Sequence, residues 1–270
     1  METILNDPQT IPANARELQA ARALLDAGRT ASAIDPVRDV IPDIAGAYRV
    51  QELVLSRKES ANNRRTGRKV GLTSIAVQTQ LGVDQPDFGV LLEDMHVADG
   101  GEIDLAKLIA PKIEAEVAFV LKSDVLGTEL SDVVAAVDYA VAALEIVDSR
   151  VRNWDITIVD TIADNASSAQ YVLGERRLTL DEFVPRDVSM TLHVNGTGAS
   201  EGKGIACLGD PLNALLWVAR TAAAIGQPLR AGEVVLSGAL GPMVPLNSGD
   251  NISASIGPLG VVSATCGMEK

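Results

Sequence analysis

The stretch that decides the fold is Pro111–Val120, "PKIEAEVAFV". Its β-branched and aromatic residues predict a strand, yet Glu114 and Glu116 stand in its middle. Side chains alternate faces along a strand, so these two carboxylates point the same way, followed on that face by Ala118 and Val120. A solvated face would carry polar residues along its length; this one turns apolar. Carboxylates on an inward-facing surface need a cation or several hydrogen-bond donors.

A third acid fits the same picture. Glu145 interrupts the apolar run "VAALEIV", with Asp148, Arg150 and Arg152 just beyond it. Oxygen-only ligands suit a hard divalent cation such as Mg²⁺ or Mn²⁺. Zinc is not favoured, because His96, His193, Cys207 and Cys266 are not placed in ligand spacing. No hydrolase triad is indicated either: "SGALG" at 237–241 is not a nucleophile elbow, and Ser237 has no histidine partner in the pattern. Lys69 in "KVGLT" and Asp87 in "QPDFG" are further polar residues at points where the chain turns inward. Taken alone, a linker lysine and a turn-capping aspartate explain them as well.

Around this centre the chain divides. Apolar residues recur at helical spacing in "ANARELQAARALLDAG" (Leu18, Ala21, Leu24, Leu25), with Gly28 as the expected stop. A second helix is predicted from "PDIAGAYRVQELVLSRKES", capped by Asp43. Residues 1–65 thus read as a helical N-terminal region, and 66–270 as a β-rich domain. In the second part short β-like runs alternate with Gly, Pro, Asn and Asp. Two further helices are expected, over "LSDVVAAVDYAVAALEIV" with Asp132 at its start, and over "DPLNALLWVARTAAAIG" behind Asp210-Pro211. The fold class is α+β.

Bulk properties narrow the function. The net charge of −13 leaves no basic surplus for phosphates, which argues against nucleic acid. Aromatic residues are only 3% of the chain, so the core must be aliphatic. No uncharged apolar stretch reaches the ~18 residues of a membrane span, and the first residues lack a secretory pattern. With two distant cysteines expected to be reduced, a cytoplasmic protein is the expectation.

In combination, "KVGLTSIAVQTQLGVDQPDFGVLLEDM", "PKIEAEVAFVL", "ALEIVDSRVRNWDITIVDTIADNAS" and the segment from Gly209 to Ile252 resemble the 2-keto-4-pentenoate hydratase family of the fumarylacetoacetate hydrolase superfamily. The resemblance spans about residues 15–265. It implies a mixed β-roll with a helical N-terminal region, and one Mg²⁺ or Mn²⁺ on Glu114, Glu116 and Glu145. Lys69 and Asp87 fall on the family's catalytic positions, and Thr73, Asp164, Ser167 and Ser237 are expected beside the substrate. The implied reaction is hydration of 2-hydroxypenta-2,4-dienoate to 4-hydroxy-2-oxopentanoate in aromatic catabolism, by a homo-oligomer. The rival within the superfamily is a 2-oxo-3-hexenedioate (4-oxalocrotonate) decarboxylase; the acidic residue in "QPDFG" favours the hydratase. Cys266 stands where the pattern leads one to expect an aromatic residue.

Overall fold

The computed structural model describes residues 14–74, 78–79, 83 and 85–268. Helix α1 (Ala15–Thr30) starts at Asn14, whose side chain caps Glu17 N–H while the Glu17 carboxylate accepts from Asn14 N. It runs past Gly28, the expected stop, and ends where Ala31 turns left-handed at φ 47°. Helix α2 (Ile44–Lys58) begins at Asp43 as expected, with its carboxylate accepting from Gly46 N at 2.7 Å.

The strands are β1 (Arg65–Gly71), β2 (Asp87–Leu92), β3 (His96–Val97), β4 (Glu102–Ile103), β5 (Lys112–Leu121), β6 (Val137–Val147), β7 (Ser168–Leu173), β8 (Ser189–Val194), β9 (Thr197–Lys203), β10 (Val234–Leu236), β11 (Val244–Pro245), β12 (Asn251–Ile256) and β13 (Gly260–Cys266). Among the described residues they form two sheets. The first has the order β2-β1-β10-β5-β6-β7-β3, with β11 added beside β5; the second is β4-β13-β12-β8-β9. Both are mixed, since β1–β10, β3–β7 and β4–β13 are parallel pairs. The α+β roll expected from the sequence is the fold observed.

One expectation fails. The run 130–147, read as one helix, is helical only in α3 (Leu130–Ala136), and the chain then becomes β6. Asp132 does not head this helix; it lies in its first turn and accepts from the N–H of the capping residue, Glu129, at 2.9 Å. β6 is buried on both faces over most of its length, so it lacks the polar alternation that marks a strand. Tertiary pairing settles the matter: β6 is hydrogen-bonded to β5 from Lys112↔Val147 to Leu121↔Val137.

The two faces of the first sheet have different fates. Ile113, Ala115, Val117 and Phe119 of β5 point into the main core. There they join Ile252, Ala254 and Val262 of the second sheet, and Leu215 and Val218 of α5 (Pro211–Ala224). The other face carries the polar residues that matter below. A separate cluster packs α1 and α2 (Ala20, Leu24, Val50, Val54) on Ile162 and Ala163 of the short helix α4 (Ile158–Ala163). No helix among the described residues is long and apolar enough to cross a membrane.

Candidate active site

Strand register assembles the site. Glu114 pairs with Glu145 across β5–β6, and Glu116 with Ala143; two residues on, Ala118 pairs with Leu236, which pairs with Lys69, which pairs with Gly89. Directly paired residues share a face. Lys69, Glu114, Glu116 and Glu145 are therefore on one side of the sheet, opposite the main core, and Asp87, two residues before Gly89, joins them.

Glu116 and Glu145 are wholly buried, and Glu114 is partly so. Ligand oxygens of the three lie within 4.8 Å of one another. Glu116 Oε2 accepts from Gly238 N at 2.7 Å; Glu116 Oε1 and Glu145 Oε2 find no hydrogen-bond partner among the described residues, while Glu145 Oε1 faces the Lys69 ammonium. Buried carboxylates left this way cost several kcal/mol each by the usual scale. Burial, reinforced by the charge of Glu145, pushes Glu114 up to about 7, against the pull of Lys69. Burial first, then Glu145 and Glu114, raises Glu116 well above the carboxylate range. Burial also raises Glu145 despite Lys69. An all-oxygen set with orphaned, mutually repelling acceptors fits a hard divalent cation.

Lys69 is 3% exposed. Its Nζ donates to Ala166 O at 2.9 Å and stands 3.2 Å from Glu145 Oε1 as an ion pair. Burial works to lower its pKa, but Glu145, Asp87, Glu114 and Glu116 together outweigh that and raise it, so the ammonium holds its proton. Asp87 was expected in a turn; it is instead the first residue of β2, fully buried. Its Oδ2 accepts from Thr161 Oγ1 at 3.0 Å, and its Oδ1 has no hydrogen-bond partner among the described residues. Burial raises its pKa, with Lys69 and Thr161 opposing. Gly71, paired with Asp87, is required by this arrangement, because a Cβ there would collide with Asp87 Oδ1.

The loop Asp164–Ser167 carries three consecutive left-handed residues, Asn165, Ala166 and Ser167 at φ 56°, 51° and 54°. Such conformations cost of order 1–3 kcal/mol each for most residues and persist where surroundings over-determine them. Here the Asn165 side chain pairs with both Val90 N and Val90 O, at 2.8 and 2.9 Å, and this aims the Ala166 carbonyl at Lys69.

The expected site residues separate into three groups. Lys69, Thr73, Asp87, Glu114 and Ser167 line one cleft of about 190 Å³, with Glu116 and Glu145 in the sheet behind it. Ser237 is buried outside the lining, and its carbonyl accepts from Cys207 Sγ at 2.9 Å. Asp164 is turned away from the cleft: its carboxylate accepts from the backbone N and Nε of Arg150, and its carbonyl accepts from Arg150 Nη2. Asp164 therefore braces the loop, and it is not among the residues that line the cleft. Cys207 and Cys266 are buried and unpaired.

Sequence reasoning missed Thr161, Asn165 and the pair Lys112–Trp154. Lys112 is on the same face of β5 as Glu114, and its ammonium lies 4.3 Å from the Trp154 ring at the cleft. The two-residue spacing from Glu114 was a readable signal for Lys112; nothing in the sequence signalled the others.

Residues 58–266 match the family described as fumarylacetoacetate (FAA) hydrolase C-terminal. The chain is 51% identical over 250 residues to a TodF product hydratase of Pseudomonas putida, covering 91% of this chain and 93% of that protein. It is 48% identical over 265 residues to the 2-keto-4-pentenoate hydratase of Burkholderia vietnamiensis, covering 97% and 99%. Among solved structures, 4-oxalocrotonate decarboxylase from Pseudomonas putida, complexed with magnesium and adipate, superposes with a TM-score of 0.89 at 37% identity over 93% of this chain and 97% of that one. With its sheet order, its carboxylate set and these matches in agreement, the chain belongs to the fumarylacetoacetate hydrolase family.

Proposed function

We propose that the protein is a divalent-metal-dependent hydro-lyase that adds water to 2-hydroxypenta-2,4-dienoate, or a close alkyl analogue, to give 4-hydroxy-2-oxopentanoate. The observation that carries the reading is the cleft itself. A largely buried three-carboxylate cluster stands beside a protonated Lys69 and a buried Asp87 whose Oδ1 has no hydrogen-bond partner among the described residues. Relatives named as hydratases at 48–51% identity, against 37% for the decarboxylase structure, favour hydration within the family.

Glu114, Glu116 and Glu145 would hold Mg²⁺ or Mn²⁺, whose chemistry here is to polarise the oxygen at C2 of the substrate and to neutralise the carboxylates. The remaining work falls to the chain. Lys69 keeps its proton against the surrounding acids while the site is metal-free. A cation held by the three carboxylates would offset their charge and loosen that hold, which would let Lys69 hand a proton to the far end of the dienol. Asp87 Oδ1, an acceptor without a hydrogen-bond partner among the described residues, would orient the water that attacks the carbon β to the carbonyl and take up its proton, which passes on to the α carbon. Left-handed Ala166 fixes Lys69 through its carbonyl, and Ser167, whose hydroxyl has no hydrogen-bond partner among the described residues, lines the cleft.

The decarboxylase reading has the structural likeness in its favour. Against it, release of CO₂ calls for a dienolate shielded from water, and Asp87 is an acid in that part of the cleft. The test is to strip the protein with a chelator and follow the diene absorbance of 2-hydroxypenta-2,4-dienoate. Absorbance should stay constant without metal and decay once Mg²⁺ or Mn²⁺ is restored; full activity in the chelated protein would contradict the reading.

A further inference from the structure

We infer that Thr161 and Gln51 clamp Asp87 so that one carboxylate oxygen stays free for the cleft, and that the N-terminal helices thereby belong to the catalytic apparatus. The inference rests on the role given to Asp87 above. Thr161, 4% exposed, donates its hydroxyl to Asp87 Oδ2 at 3.0 Å. A half-turn of the carboxylate merely exchanges two equivalent oxygens, but a partial rotation would break that bond and turn Oδ1 out of the space left open by Gly71.

Thr161 sits on α4, a helix of six residues, too short to stand without tertiary support. Its supports come from the N-terminal region. Asp160, the preceding residue, is fully buried and accepts from Val37 N, Arg38 N and Arg38 Nη1 at 2.8–2.9 Å, as well as from Thr157 N and Oγ1. Gln51, on α2 and 4% exposed, donates both protons of its amide nitrogen: one to Phe88 O at 2.9 Å, the other to Ile162 O at 3.1 Å. Phe88 follows Asp87 and Ile162 follows Thr161. A single side-chain nitrogen thus ties the strand bearing the acid to the helix bearing its hydrogen-bond donor. Tyr48, one turn earlier on α2, stacks on Phe88 with ring centroids 4.8 Å apart. Gln51 and Tyr48 both precede residue 58, where the family match begins.

The ordinary alternative is that these bonds merely fasten the helices to the sheet. The two roles separate by their dependence on Asp87. A fastening residue lowers stability whatever stands at 87; a positioning residue acts on turnover only through the acid it holds. Thr161→Val, Thr161→Ser and Gln51→Met are made in the full-length protein, each alone and with Asp87→Asn. Thr161→Val should lower kcat roughly 10–100-fold, the scale of a misplaced reacting group, with KM and the Mg²⁺ activation midpoint unchanged. Thr161→Ser should recover most of the loss, and Gln51→Met should lower kcat in the same direction. Added to Asp87→Asn, Thr161→Val should cost less than about twofold. Wild-type kcat in Thr161→Val, or losses that multiply with Asp87→Asn, would overturn the inference. A crystal structure of Thr161→Val needs no turnover, so it decides the clamp even where the hydratase reading itself fails. The Asp87 carboxylate should be rotated there; an unmoved carboxylate would refute the clamp.

Discussion

Replacing Glu116 by glutamine removes one buried charge while keeping a carbonyl oxygen for the Gly238 N–H. At the 4.8 Å that bounds the separation of the ligand oxygens, two like charges at an effective dielectric of about 20 repel by roughly 3.5 kcal/mol. Repulsion from both Glu114 and Glu145 would double that, but the metal-free site has an escape. A carboxyl that ordinarily titrates at 4.5 can be held protonated at pH 7 for about 3.4 kcal/mol. Glu116→Gln should therefore stabilise the metal-free protein at pH 7 by at most about 3 kcal/mol, or ~6–12 °C in Tm at this chain length. The sign with pH follows from the raised carboxyl pKa values. The folded, metal-free protein binds more protons than the unfolded chain between about 4.5 and about 7, the latter being where Glu114 titrates, so its stability declines as pH rises through that window. The gain from Glu116→Gln should accordingly shrink toward zero near pH 5. Mg²⁺ reverses the ranking: at a thousandfold excess over Kd it adds about 4.1 kcal/mol to the unmodified protein and little to the variant. Thermal and urea denaturation in chelator and in Mg²⁺, at pH 5 and pH 7, reads all four values. A variant less stable than the parent in chelator, or one that Mg²⁺ stabilises as strongly, would refute the reasoning.

Lys69→Ala should lower kcat by roughly 10²–10⁴-fold, with the circular dichroism spectrum unchanged, because a proton donor is lost and the main core is on the other face. Gly71→Ala places a methyl where Asp87 Oδ1 stands and should lower kcat by about 10²-fold while leaving Mg²⁺ binding intact by calorimetry. Asp164→Asn leaves the buried Arg150 guanidinium without its counter-charge; urea unfolding should show a loss of about 3–5 kcal/mol, with KM near that of the parent where the fold holds.

How much of this was legible in the sequence depended on the range of the interaction. The E-x-E strand announced its shared face, because alternation is a property of the strand alone, and Glu145 stood out as an acid in an apolar run. The strand bearing Glu145 was misread: with both faces buried, Val137–Val147 shows no alternation, and only pairing with β5 distinguishes it from a helix. The short motifs located Lys69, Asp87 and Ser167 but not their orientation. The "ADNAS" loop placed Asp164 near the right position in the chain, yet its carboxylate turns to Arg150. Thr161, Asn165 and Gln51 were invisible for one physical reason. Each acts through a hydrogen bond to a residue 37–111 positions away, and no local pattern records such a bond.

The most direct test of the central claim is product analysis with the Mg²⁺-loaded protein in ¹⁸O-enriched water. From 2-hydroxypenta-2,4-dienoate the account predicts 4-hydroxy-2-oxopentanoate carrying solvent oxygen at C4, and from 2-oxo-3-hexenedioate no CO₂. Stoichiometric CO₂ from the second compound, with the first left unhydrated, would contradict it.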